Sequence, residues 1–110
     1  MTMTFDEFLV RMKAVDGRWY LDKLNCLRCE ISGERHCPVS AVLGDASVYC
    51  QPSAAAVRLL GMEVEVAWPL VAGADNKNLD GETRYAIGGP SRPHREAMLS
   101  AVGLVEVHNA

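Results

Sequence analysis

No apolar run in this chain approaches the roughly 20 residues a membrane-spanning helix needs, which excludes one. A large excess of charge is lacking too. Eleven Lys and Arg stand against fourteen Asp and Glu, a formal charge of −3. That is too little positive charge for a nucleic-acid binder and too little negative charge for an acidic DNA mimic. The opening MTMTFDEFLV has acids where a secretory leader needs a basic segment and an apolar stretch, so a cytoplasmic location is expected. Internal repeats, low-complexity linkers and an alternating strand–helix rhythm are all missing. The last of these argues against a doubly wound nucleotide-binding fold.

What is present is an ordinary globular composition: 110 residues, 49% hydrophobic and 23% charged. This predicts one compact domain spanning residues 1–110, with a core that needs no staples. Charge is uneven along it. Residues 1–60 hold seven acids and seven bases, whereas residues 61–110 hold seven acids and four bases, so the C-terminal half carries the net charge.

Thr4 and Glu7 have capping-box spacing, and Phe5, Phe8, Leu9, Met12 and Val15 form one apolar stripe, which predicts a helix over about 5–15 ended by Gly17 in the left-handed region. The stripe is expected to pack against Leu99 and Val102 or against Leu70 and Val71. Residues 18–31 alternate in two short stretches and predict two strands, with Ser32-Gly33-Glu34 as a turn. Cys37-Pro38 opens a short helix stopped by Gly44, and Gln51-Pro52-Ser53 opens another stopped by Gly61. In MEVEVAWPLVAGADN the spacing of Ala67, Leu70, Val71 and Ala74 favours a helix over a strand, provided that it starts near Glu65 and so accommodates Pro69. NKNLDGETR reads as a polar loop. Ser91 is the expected N-cap of a last helix over about 92–102, with Gly103 as terminator and Leu104 as its apolar contact. The sum is an α-rich α+β fold, several short helices packed with a small β-hairpin.

Cys26, Cys29, His36, Cys37 and Cys50 are the raw material of a structural zinc site. Against that reading, LNCLRCEI looks like a strand, and strand residues three apart point to opposite faces. No cofactor and no metal are expected, and the cysteines read as structural thiols. Cys37, at a helix start, could instead be a nucleophile with His36 or His94 as its base, but no orienting carboxylate is identifiable. Asn76-x-Asn78-x-Asp80-Gly81 imitates half a calcium loop, yet Ile87 stands where a bidentate Glu is required. Gly88-Gly89-Pro90-Ser91-Arg92 reads as a loop and N-cap rather than an anion site, and Arg92, His94 and Arg95 as a solvated face. Trp19, Tyr20 and Trp68 read as core or rim, and an exposed member would point to a partner surface.

FDEFL at the start, Trp19-Tyr20-Leu21, Leu27-Arg28, Gly33, Cys37-Pro38-Val39-Ser40-Ala41-Val42, Leu60-Gly61, Ala74-Asp75-Asn76 and the terminal helix from Arg95 to Gly103 follow one another in an order that resembles short uncharacterised proteins encoded by phages and prophages. The resemblance spans most of the chain, and Cys26 and His36 lie outside it. It implies an accessory role, such as binding a host protein or a defence component, and no particular activity.

The function expected is a small non-enzymatic protein-interaction module, with a protein partner and neither nucleic acid nor membrane. Its patch is expected between Asn76 and His94, with Leu79, Tyr85, Ile87 and Arg92 as binding residues, because aromatics and Arg dominate interface energy. The competing arrangement has Tyr85 and Ile87 in an edge strand buried against the hairpin. The alternative functions are a small zinc domain and a thiol-dependent enzyme using Cys37.

Overall fold

A computed structural model describes residues 2–82 and 87–106. Helix α1 (Phe5–Ala14) starts on the predicted capping box: Thr4 Oγ1 accepts from the Glu7 amide, and the Thr4 amide donates to the Glu7 carboxylate. Gly17 is not its left-handed terminator. The helix ends at Val15 in extended backbone, and Gly17 serves close approach instead. A Cβ there would lie 2.7 Å from Cys29 Sγ and 2.9 Å from the Glu30 carbonyl oxygen.

Three strands follow rather than two: β1 (Arg18–Leu21), β2 (Leu27–Ile31) and β3 (Glu34–His36), an antiparallel sheet in that order. Ser32 and Gly33, both at positive φ, make a two-residue turn of the kind whose twist suits a hairpin. Glu34 therefore already belongs to β3. Trp19, Cys29 and His36 align across the three strands, as do Arg18, Glu30 and Arg35 on the opposite face. At the β1–β2 turn, Asp22 Oδ1 accepts from the amides of Leu24 and Cys26, and Oδ2 meets Arg35 at 2.6 Å. Burial alone would raise the Asp22 carboxyl. Those two amides, with Arg28 and Arg35 nearby, outweigh it and hold the group below the usual carboxylate range.

The helices α2 (Pro38–Leu43), α3 (Pro52–Leu60), α4 (Val64–Ala74) and α5 (Arg92–Ala101) complete the domain, with a 3-10 turn at Ala46–Val48. Gly44 and Gly61 end α2 and α3 as expected. Phe8 and Met12 of α1 are fully buried, and the helix packs on α5 and also on α2, a neighbour the stripe alone does not reveal. The core they join holds Leu27, Val39, Leu70, Met98 and Leu99. Fully burying a side chain of this size contributes about 1.5–3 kcal/mol, so this cluster is the main source of stability. Among the described residues, no helix is long and apolar enough to cross a membrane.

Two buried arginines tie the layers together. Arg28 of β2 binds Asp75 at 2.7 Å and Tyr49 Oη at 3.1 Å. Burial works against its charge, and the Asp75 carboxylate more than offsets that. Arg95 is 1% exposed, which corrects the reading of 92–95 as a solvated face. It donates to the carbonyls of Gly73 and Asn25 and to Glu106. One side chain thus joins α4, α5, the β1–β2 turn and the segment after α5.

Candidate interaction surface

The segment between α4 and α5 is positioned from both of its ends. Asn76 and Asn78 adopt positive φ, a conformation Asn tolerates better than most residues. Their side chains bond the chain itself: Asn76 Nδ2 faces the Leu24 carbonyl and Asn78 Nδ2 donates to the Gly89 carbonyl. Asp80 takes Arg92. Of the three side chains of the calcium-like pattern, the two asparagines thus bond through their amide nitrogens, and the Asp80 carboxylate pairs with Arg92. Near α5, the Ser91 amide donates to the Asn78 carbonyl and the Arg92 amide to the Leu79 carbonyl. Ser91 is the N-cap residue, but its side chain forms no cap bond. Its hydroxyl reaches the Lys77 carbonyl instead.

Pro69 fixes the remaining attachment. Inside α4 it has no N–H to donate toward the Glu65 carbonyl one turn earlier. Gly88 sits against this place. A Cβ added to it would lie 2.2 Å from the Glu65 oxygen and 2.9 Å from Pro69 Cδ, and its φ is +84°. Only a residue without a side chain fits there. Gly81 packs on the Pro90 ring in a similar way.

These contacts bring Ile87 beside α4. Ile87 is 40% exposed and Trp68, next to Pro69, is 46% exposed. Leu79 is half-buried and Arg92 is partly exposed, with its guanidinium 3.0 Å from Asp80. The Arg92 amide bond to the Leu79 carbonyl holds those two residues side by side, and Ile87 adjoins Gly88, which is seated on α4. Ile87 lies in a turn rather than an edge strand. Tyr85 lies outside the described residues. The sequence pattern places Trp68 in the core or its rim and outside the expected patch, whereas the structure leaves it exposed. Its signal was its position in α4, where Glu65, Trp68 and Ala72 share the face opposite the buried Ala67, Leu70 and Ala74.

No family model, curated protein or solved structure matches this chain.

The thiols do not assemble. Cys26 Sγ faces the Asp75 carbonyl at 3.5 Å, whereas Cys29 lies under Gly17, at the other end of the short stretch that separates them. Burial pushes both thiols up, which disfavours the thiolate a metal requires. Cys50 is exposed, on a surface groove of about 340 Å³ shared with Gln51, Arg58 and Leu59. Among the described residues no three His, Cys, Asp or Glu side chains converge as metal ligands would.

Cys37 is the N-cap of α2. Its sulfur accepts from the Ser40 amide at 3.4 Å, and Ser40 Oγ lies 3.0 Å from His36 Nδ1. His36, Cys37 and Ser40 are 4%, 5% and 0% exposed, so this cluster faces the protein and not solvent. His94, the other candidate base, packs against Phe5 with ring centroids 4.7 Å apart and the rings tilted by 58°.

Proposed function

We propose that this protein is a non-enzymatic interaction module that docks a protein partner on the surface formed by Trp68, Ile87, Leu79 and Arg92. The carrying observation is Trp68, a large aromatic left 46% exposed on a helix whose other face is fully buried. Exposed aromatics are costly to leave in water, and they anchor interfaces because they bury much area with few rotatable bonds. The seating of Gly88 on Pro69 adds support, since it holds Ile87 against the helix that carries Trp68 and reduces the ordering cost of association. The enclosed His36–Cys37–Ser40 cluster offers substrate no entry, which favours binding over thiol catalysis. An accessory role, of the kind implied by the likeness to phage-encoded proteins, is the setting in which such a module would act.

Trp68→Ala and Ile87→Ala test this reading. Both variants are expected to melt within a few degrees of the parent, because surface substitutions usually change stability by less than about 0.5 kcal/mol. Both are expected to lose a partner that co-purifies with the parent from the source cell. Full retention of that partner by both variants would refute the reading.

A further inference from the structure

Strand β1 bonds β2 along one side of its backbone only. The Asp22 amide donates to the Cys26 carbonyl at 3.0 Å, in the same register that pairs Tyr20 with Arg28 and Arg18 with Glu30. Hydrogen-bonded and non-hydrogen-bonded pairs alternate along an antiparallel ladder. Arg18, Tyr20 and Asp22 therefore face β2 with their main chains, whereas Trp19 and Leu21 turn their N–H and C=O groups to the outer edge. Among the described residues no main-chain hydrogen bond reaches that edge. The other edge strand, β3, packs on α2 and the 3-10 turn, which leaves β1 as the open edge. Such an edge is a template for a further strand.

We infer that β1 pairs with β1 of a second copy of this chain, antiparallel and about a twofold axis, so that two three-stranded sheets become one. The strand is complementary to itself. With Trp19 and Leu21 bonding outward, the fullest overlap sets Trp19 against Leu21 of the second copy and Tyr20 against its own counterpart. Arg18 then stands opposite Asp22 of the second copy at each end of the pairing. The Tyr20 and Arg18–Asp22 positions are non-hydrogen-bonded pairs, where side chains approach most closely, and aromatic or opposite-charge pairs there stabilise a sheet. Arg18 already lies over the Tyr20 ring, 4.7 Å from its centre. Asp22 holds Arg35 through Oδ2, and Arg18 of the second copy adds to that pair. A twofold contact closes on itself, so the assembly stops at a dimer. This contact uses a different element from the docking surface and does not depend on it.

Sedimentation equilibrium of the purified full chain, with amide exchange measured at low and high protein concentration, tests the inference. A reversible dimer is expected. The Trp19 and Leu21 amides should gain protection as the dimer forms, whereas the Tyr20 amide should be protected at every concentration. Tyr20→Lys and Tyr20→Glu should each be monomeric alone, because like charges then face each other across the axis, and should dimerise when the two variants are mixed. Should a Tyr20 variant fail to fold, Arg18→Glu carries the same test at a side chain 64% exposed, and it should weaken the dimer by about tenfold or more. A parent chain that stays monomeric at millimolar concentration would overturn the inference and leave the edge to a strand of another protein. A dimer that forms without protecting Trp19 and Leu21, or that tolerates these substitutions unchanged, would place the contact elsewhere and overturn it too.

Discussion

Arg95 donates to the Gly73 carbonyl oxygen at 2.8 Å from a side chain that is 1% exposed, and Glu106 supplies the carboxylate that balances its charge. A buried charge that loses its partner is destabilising by roughly 3–5 kcal/mol. Glu106→Ala should lose about that much in urea unfolding. Adding Arg95→Met should cost less than the sum of the two single changes, because the stranded charge is then removed as well. A loss below about 1 kcal/mol for Glu106→Ala would mean that water or another group satisfies the guanidinium.

Phe8 is fully buried in the cluster that joins α1 to α5 and α2. Phe8→Ala should cost roughly 3–5 kcal/mol, the usual range for emptying such a site. Equilibrium denaturation checks it, and a loss below about 1 kcal/mol would contradict the packing of α1 described above.

His94 gives the fold a pH dependence. Its Nδ1 is buried without a hydrogen-bond partner among the described residues, and burial lowers its pKa from the ordinary value of 6.5. The folded state therefore binds this proton less readily than the unfolded chain. Stability is unaffected by the group well above pH 6.5 and falls as the pH drops below that value, until the folded-state pKa is passed. His94→Leu should flatten this part of a melting-temperature profile, and an identical slope in parent and variant would assign it to other groups.

The thiols should divide by accessibility. Cys50 is exposed, and Cys26, Cys29 and Cys37 are buried. Titration with a chromogenic disulfide in the folded state should show one thiol reacting at the rate of an ordinary cysteine and three reacting after unfolding. A second rapid thiol, lost in Cys37→Ala and independent of pH, would restore the case for Cys37 as a nucleophile.

Much of this architecture was readable from local chemistry. Thr4 and Glu7 announced α1, and Pro38 and Pro52 announced α2 and α3, because caps and first-turn prolines act within a few residues. Strand β3 escaped because ERH has no apolar alternation. The clue was Ser32-Gly33, a two-residue turn that requires a strand on each side. Arg95 shows the other limit. Nothing near it in sequence reveals that its partners are Asn25, Gly73 and Glu106, all distant along the chain. Trp68 was ambiguous for the same reason. The helical pattern placed it on a face, and only the tertiary arrangement shows that the described residues leave it exposed.

The most direct test of the docking surface is photo-crosslinking in the source cell, with p-benzoylphenylalanine placed at position 87 and, for comparison, at position 10. Val10 is also exposed, at 64%, but lies on α1, outside the proposed surface. A discrete protein adduct from position 87, absent from position 10 and lost when Trp68→Ala is added, is the predicted result. No adduct from position 87, or the same adducts from both positions, would contradict the account.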